Sequence, residues 1–126
     1  MRWPRTSIRT DESGTTAIEF AIVGPVCIFL VIGIAFLCMG LAVAGSMHYA
    51  VEEGARCASV RKFVCSDEDT TITYTKAHYF GPGAVPTFAY DPAAVCGHSV
   101  TASTTYVVDI GVRKISVPIT AEACFP

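Results

Sequence analysis

A long apolar segment separates a short polar region before it from a longer, more polar region after it. From Phe20 to Val51 no residue carries a formal charge, and His48 is the only titratable base. About 20 apolar helical residues cross a bilayer core of about 30 Å, so this segment can span a membrane and continue beyond it. The alternative is the buried helix of a soluble protein. The remaining residues are too few and too polar to surround such a helix, so the pattern favours a transmembrane helix.

The end of this helix is predicted to leave the membrane as an amphipathic helix, over residues 46–62. Small and apolar side chains recur there at intervals of three and four residues, which places them on one helix face. They are Met47, Ala50, Val51, Gly54, Ala55 and Ala58. Because most of these side chains are small, we expect another part of the chain to pack closely on this face. The best candidate is the C-terminal sheet.

The sequence after Phe63 predicts a small α+β region. A helix is predicted over residues 72–80, with Asp69 or Thr70 as its N-cap and the Gly-Pro-Gly sequence of residues 81–83 as its end. Three strands are predicted over residues 87–90, 99–108 and 112–121, with residues 109–111 as the turn of a hairpin. Pro118 cannot donate a hydrogen bond to a neighbouring strand, so its strand is expected at an open edge of an antiparallel sheet.

The charges on either side of the apolar segment predict its orientation. Arg2, Arg5 and Arg9 precede the segment, and positive charge keeps that end of a membrane helix in the cytoplasm. The region after the helix is then periplasmic. A secretory signal peptide is the alternative, but its apolar part would have about 7–15 residues and its cleavage site would follow that part. The net charge of −2 argues against a nucleic-acid partner, which would require a basic face.

One carboxylate, that of Glu19, lies at the start of the apolar pattern. An unpaired charge next to hydrocarbon costs a few kcal/mol, so we expect a cationic partner. The arginines before the apolar segment are candidates. If the chain is cut after Gly14, the new ammonium group of Thr15 is a second candidate, either in the same molecule or in a neighbouring one.

Two segments of the sequence form a pattern with a membrane length between them. The first is DESGTTAIEFAIVGP, residues 11–25, which follows a basic leader and has a glycine before a possible cut and a glutamate at the fifth position after it. The second is VEEGARCAS, residues 51–59, at the end of the apolar segment. The first segment resembles the opening, and the second the sequence after the membrane helix, of the TadE-like minor pilins of tight-adherence (Flp-type) pilus systems. Thr15 stands where many type IV pilins carry phenylalanine at the first mature position.

The resemblance implies a minor pilin or pseudopilin of the inner membrane, needed for pilus assembly and adherence. Its implied processing residues are Gly14, Thr15 and Glu19, and its implied partners are membrane lipid, a prepilin peptidase and other pilin subunits. Small residues on the apolar helix would let those subunits approach closely, although such residues are also common in membrane helices generally. An uncleaved single-pass membrane protein with an interaction domain remains the alternative function.

The chain is accordingly predicted to have three parts: a cleaved cytoplasmic leader (residues 1–14), a transmembrane and extended helix (15–62) and a small periplasmic α+β region (63–126). A proline within the helix, Pro25, predicts a kink near residues 21–25. The fold class is therefore α+β, a long N-terminal helix followed by a small, disulfide-stapled antiparallel sheet of pilin-like type.

Four of the six cysteines fall on the predicted periplasmic side: Cys57, Cys65, Cys96 and Cys124. An oxidising compartment and a small core favour disulfides, and four cysteines allow three pairings. We favour Cys57–Cys65, which closes a loop at the helix end, together with Cys96–Cys124. Cys27 and Cys38, in the apolar helix, are predicted to be buried free thiols.

The sequence contains no motif that indicates catalysis or cofactor binding. It has no nucleophile elbow, phosphate-binding loop or zinc-binding helix motif, and metal binding by the cysteines lacks the usual Cys/His spacing. We therefore expect a protein that is not an enzyme and that uses no cofactor or metal.

Overall fold

The structure, a computed structural model, describes residues 12–126 and the side chains of residues 16–126. The three leader arginines lie outside the described residues. The described chain contains two helices and three strands in the order α1, α2, β1, β2, β3. Helix α1 extends over Glu12–Val60 and continues through Pro25, the position at which a kink is predicted.

Helix α1 has two parts that differ in exposure. Nearly all side chains from Thr16 to Ala42 are exposed, although most of them are apolar. From Val43 onward one face of the helix is buried. The segment Thr16–Val60 is long and apolar enough to cross a membrane, so it fits a single-pass membrane anchor.

Helix α2 extends over Glu68–Ala77 and therefore begins and ends earlier than predicted. Its N-cap is Asp67, not Asp69 or Thr70, because Asp67 and Thr70 form a reciprocal capping box. The Asp67 carboxylate accepts from the Thr70 amide at 2.9 Å, and the Thr70 hydroxyl accepts from the Asp67 amide at 3.2 Å. At the other end, the Phe80 amide donates to the Ser46 hydroxyl of α1 at 2.8 Å, which holds this residue outside the helix.

The three strands form one antiparallel sheet with the order β1-β2-β3, in agreement with the predicted α+β fold. Strand β1 covers Thr87–Ala94, β2 Gly97–Asp109 and β3 Lys114–Phe125, so each is longer than predicted. Pro118 lies on β3, which is an edge strand as predicted. The β2–β3 turn includes Gly111, whose φ of 80° suits glycine, and its amide donates to the Asp109 carboxylate at 2.9 Å.

The core lies between the second part of α1 and one face of the sheet, as the spacing of small residues predicted. Met47, Ala50, Val51 and Ala55 of α1 are buried together with Phe88 of β1. Strands β2 and β3 complete the cluster with Val100, Ala102 and Ala121. Met47 is the largest of the fully buried side chains in the described chain. The end of α1, the sheet and α2 therefore belong to one compact unit, Phe36–Pro126.

Candidate functional site

The residues of the predicted processing junction all lie within α1. Gly14 and Thr15 are part of the helical backbone, and the Glu19 side chain is exposed on the helix surface. The side chains of Phe20, Ile22 and Val23, which follow it, are exposed as well. The Glu19 carboxylate thus stands at the boundary between the polar start of α1 and its exposed apolar surface.

The exposed apolar surface of α1 continues to Ala42. Its large side chains include Phe29, Leu30, Ile32, Phe36, Leu37 and Met39, each more than a third exposed. Cys27 and Cys38 are free, but they are exposed, so the prediction that they are buried was wrong for the chain alone. A monomeric soluble protein rarely exposes so large a continuous apolar surface, which indicates contact with lipid or with other apolar helices.

The small residues at the end of α1 allow close packing against α2. Gly54 lies against Thr75, whose hydroxyl donates to the Thr71 carbonyl at 2.8 Å. Thr71 and Thr75 are both fully buried. Gly54 belongs to the second segment that resembles the pilins. Because it has no side chain, α2 can lie directly against α1 at this position.

Two disulfides close the compact unit at the end of α1 and at the end of the sheet. Cys57 is bonded to Cys65, and Cys96 is bonded to Cys124. These are the two pairs that the spacing favoured. Cys57 and Cys65 are buried with Ala58, whereas Cys96 is exposed in the turn between β1 and β2. The first bond secures the loop after α1, and the second joins the β1–β2 turn to the end of β3.

Three side chains of the compact unit have shifted pKa values, and each shift has a structural cause. The amide and hydroxyl of Thr70 donate to the Asp67 carboxylate and lower its pKa below 3.8. Burial raises the pKa of Tyr79 above 10.0. Burial and the Asp91 charge raise the pKa of Tyr90, whose hydroxyl lies 2.6 Å from His98 Nδ1. These directions keep both phenols protonated and the Asp67 carboxyl ionised at neutral pH, so none of the three shifts indicates an acid–base catalyst.

No cluster of potential metal ligands occurs among the residues that the structure describes.

Sequence reasoning missed two features that the structure brings into view. The first is Ser46, which is buried and bonds to Phe80. The second is Tyr106, whose hydroxyl donates to the Phe36 carbonyl at 3.4 Å. Both residues join segments that are far apart in sequence, and no local pattern predicts such contacts.

A known protein family has a sequence model that matches part of this chain. Residues 14–56, 43 of the 126 residues, match the model of the TadE-like protein family. The match covers the same segment of the chain in which the sequence resembles that family. No curated protein and no solved structure matches the chain.

Proposed function

We propose that this chain is a minor pilin or pseudopilin of a tight-adherence pilus system. In this proposal α1 anchors it in the bacterial inner membrane, with the leader in the cytoplasm and the compact unit in the periplasm. A prepilin peptidase removes residues 1–14, and the mature subunit then supports pilus assembly and adherence. Its role is structural, carried by contacts with lipid and with other pilin subunits.

The observation that carries the proposal is the extent of the family match. Residues 14–56 include the glycine of the junction, the whole exposed apolar surface and Gly54, which admits α2. The matched segment therefore contains both features that a pilin-like subunit needs from its helix. These are a first part with a candidate cleavage junction and an exposed apolar surface, and a second part that supports a folded domain.

The exposed part of α1 has the length that the proposal requires. From Phe20 to Met39 there are 20 residues without a charged side chain, which at about 1.5 Å per residue cover about 30 Å. In the membrane this surface contacts acyl chains, and in an assembly it contacts the same surface of other subunits. Small residues favour the second kind of contact because they let helix backbones approach closely. They are Ala17, Ala21, Gly33, Gly40 and Ala44.

The position of Glu19 supports cleavage between Gly14 and Thr15. The cut falls on the cytoplasmic side, because the leader arginines do not readily cross the bilayer. It creates an ammonium group at Thr15, about one helical turn from Glu19. That group pairs with the Glu19 carboxylate of the same subunit or of a neighbouring one, which offsets the cost of a carboxylate beside hydrocarbon.

The decisive experiment is to measure the intact mass and N-terminal sequence of the full chain extracted from membranes of cells that contain a prepilin peptidase. We expect a mature chain that begins at Thr15. Gly14→Val should block the cut, because it places a larger side chain directly before the bond that the peptidase cleaves. The matched control is Gly33→Val, because Gly33 has open space around it. An intact leader on the wild-type chain would instead support the alternative, an uncleaved membrane-anchored interaction domain.

A further inference from the structure

A small polar cavity lies between the end of α1 and the middle of α2, within the compact unit, and has a volume of about 180 Å³. Its lining residues are Glu53, Arg56, Cys57, Val60, Arg61 and Tyr74. The first four lie on one face of α1, because they recur at intervals of three, one and three residues. The other two close the opposite side. The cavity is large enough to hold several water molecules or one carboxylate group.

Three hydrogen-bond donors line this cavity, those of Arg56, Arg61 and Tyr74. Arg61 Nη1 donates to the Tyr74 hydroxyl at 3.2 Å, so the hydroxyl oxygen accepts and its hydrogen can donate to another group. The one ion pair among the described residues lies at the β2–β3 turn, so neither arginine is paired with a carboxylate of the described chain. Two guanidinium groups and the Glu53 carboxylate give the cavity a net charge of about +1. This composition suits a single carboxylate.

The Cys57–Cys65 disulfide fixes the backbone around this cavity. Arg56 directly precedes Cys57 on α1, and the Arg61 amide donates to the Cys57 carbonyl at 2.8 Å. The Cys65 amide in turn donates to the Arg61 carbonyl at 3.0 Å. The two arginines are therefore held by a closed, bonded turn before any partner binds. Such preorganisation lowers the entropic cost of binding.

Exposed apolar side chains surround Arg61 in this turn. Val60, which also lines the cavity, is 71% exposed, and Phe63 is fully exposed. Val64 is more than half exposed. A small soluble acid would leave these side chains in water, whereas a protein surface would cover them. The combination of an apolar rim and a cationic cavity therefore favours a carboxylate that belongs to a protein.

The compact unit itself carries carboxylates of the required kind. Glu68 and Asp69 lie in the first turn of α2, both are exposed, and neither has an ion-pair partner among the described residues. The neighbouring Asp67 is instead bonded to Thr70 as the helix cap. The unpaired cations of the cavity and the unpaired anions of α2 are complementary in charge. A second copy of the chain therefore supplies the carboxylate that the cavity suits.

The position of the cavity along the helices gives the geometry of such a contact. Helix α2 runs back along α1, as two contacts show: Thr75 with Gly54, and Phe80 with Ser46. Tyr74 follows Glu68 by six residues, which is about 9 Å of helix. In two copies with parallel α1 helices, the acidic turn of one reaches the cavity of the other only when the copies are displaced by about this distance. A displaced contact leaves one cavity and one acidic turn free, so it can repeat.

We propose that the cavity between α1 and α2 binds the Glu68 or Asp69 carboxylate of a second copy of the chain, displaced by about 9 Å along α1. Arg56, Arg61 and the Tyr74 hydroxyl donate to this carboxylate, and Val60 and Phe63 are covered by the neighbouring copy. The inference deepens the proposed function, because it names one contact between subunits. It does not depend on cleavage of the leader.

The test measures self-association of the full chain by sedimentation equilibrium in a density-matched neutral detergent. The cavity variant is Arg56→Glu/Arg61→Glu, and the acidic-turn variant is Glu68→Lys/Asp69→Lys. Each variant places like charges on both sides of the contact. A quadruple variant that combines the four substitutions restores opposite charges, and so does a mixture of the two double variants.

The matched control is Arg113→Glu/Lys114→Glu, which makes the same change in net charge with two cations that do not line the cavity. Circular dichroism and peptide mapping of the Cys57–Cys65 bond show whether each variant is folded. The mixture of double variants serves as a second readout of rescue if the quadruple variant does not fold.

We expect the wild type to associate with increasing concentration, and less strongly at high salt because exposed charges are screened. Each double variant should associate about tenfold or more weakly, since like charges then face each other. The quadruple variant and the mixture should recover association, and the control should match the wild type. Double variants that associate as tightly as the wild type, or a folded quadruple variant and a mixture that both stay weak, would overturn the proposal.

The outcome for this contact is separable from the outcome for the proposed function. A monomeric wild type whose mature chain begins at Thr15 would overturn the contact and leave the proposed processing intact. An intact leader on a chain that shows the full charge-reversal rescue would overturn the processing and support the contact.

Discussion

Gly54 of α1 and Thr75 of α2 are in such close contact that no side chain fits between them. A Cβ atom at Gly54 would overlap the Thr75 hydroxyl and lie 3.1 Å from the Thr75 Cβ. The Thr75 side chain has little freedom to move away, because it is fully buried and bonded to the Thr71 carbonyl. Gly54 therefore sets the distance between the two helices.

The first prediction is that Gly54→Ala lowers the free energy of unfolding of the compact unit. Overpacking costs about 1–3 kcal/mol, which exceeds the gain of about 1 kcal/mol from the higher helix propensity of alanine. Gly45→Ala is the matched control, since Gly45 lies in the same helix with no atom close to its missing side chain. Urea unfolding in detergent, followed by circular dichroism, should show destabilisation by the first variant and slight stabilisation by the second. Equal effects would contradict the close-contact interpretation.

The second prediction concerns Met47, which is completely buried between α1 and the sheet. Met47→Ala should lower the free energy of unfolding by about 2–5 kcal/mol, because it leaves a cavity in a small core. Met39→Ala makes the same chemical change at a side chain that is 51% exposed. In detergent it should change the free energy of unfolding by less than about 0.5 kcal/mol. If the two variants unfold at the same urea concentration, the core is not where we place it.

The third prediction is that the two disulfides differ in their access to reductant. Cys96 is exposed, whereas Cys57 and Cys65 are both buried, and a thiolate must reach a sulfur atom to reduce it. Under native conditions a small thiol should reduce Cys96–Cys124 first, as measured by differential alkylation and mass spectrometry. Peptide mapping of untreated protein should recover both bonds and leave Cys27 and Cys38 free. Recovery of a crossed pair, such as Cys57–Cys96, would contradict the arrangement.

The longer loop also gives an energetic expectation. The residues of Cys96–Cys124 are 28 positions apart in sequence. Closing a loop of that length lowers the conformational entropy of the unfolded chain, which raises its free energy by about 3.6 kcal/mol on a chain-entropy estimate. The double variant Cys96→Ala/Cys124→Ala should therefore unfold at a markedly lower urea concentration than the wild type. The wild type after complete reduction serves as the reference for the loss of both bonds.

The fourth prediction is a pH dependence that comes from the cap of α2. The capping bonds lower the pKa of Asp67 in the folded state, so the folded protein binds this proton less tightly than the unfolded chain. The stabilisation is then complete above the unfolded pKa of about 3.8 and is lost as the pH falls through the lower folded value. Asn is also a good N-cap but does not titrate, so Asp67→Asn should remove this part of the acid dependence. The readout is the difference in melting temperature between wild type and variant across acidic pH. A constant difference would contradict the prediction.

The fifth prediction is that Glu19→Gln preserves membrane insertion but impairs pilus assembly. The amide lowers the cost of insertion and removes the charge that we expect to pair with the ammonium group of Thr15. Membrane fractionation and pilus counts, in a strain that carries only the variant, measure the two effects separately. Glu52→Gln is the control, because Glu52 is exposed on the second part of α1. Normal piliation with Glu19→Gln would show that the charge pair is dispensable.

Local sequence patterns predicted which helices and strands the chain forms. The uncharged segment after Glu19 predicted a helix of membrane length, and Pro118 predicted that its strand lies at an edge of the sheet. Helix α2 was placed imprecisely because five of its ten residues are threonines or aromatic, a composition that hides the helical period. Its N-terminus was nevertheless encoded locally, in the reciprocal bonds between Asp67 and Thr70.

Only the tertiary structure decided which surfaces meet. Periodicity placed Gly54 on a small-residue face, but the partner of that glycine, Thr75, depends on how the chain folds back after Cys65. Similarly, nothing near Tyr106 in sequence predicts its hydrogen bond to the Phe36 carbonyl. The physical reason is that periodicity determines which side chains share a face, whereas the depth and partner of each face depend on the path of the whole chain.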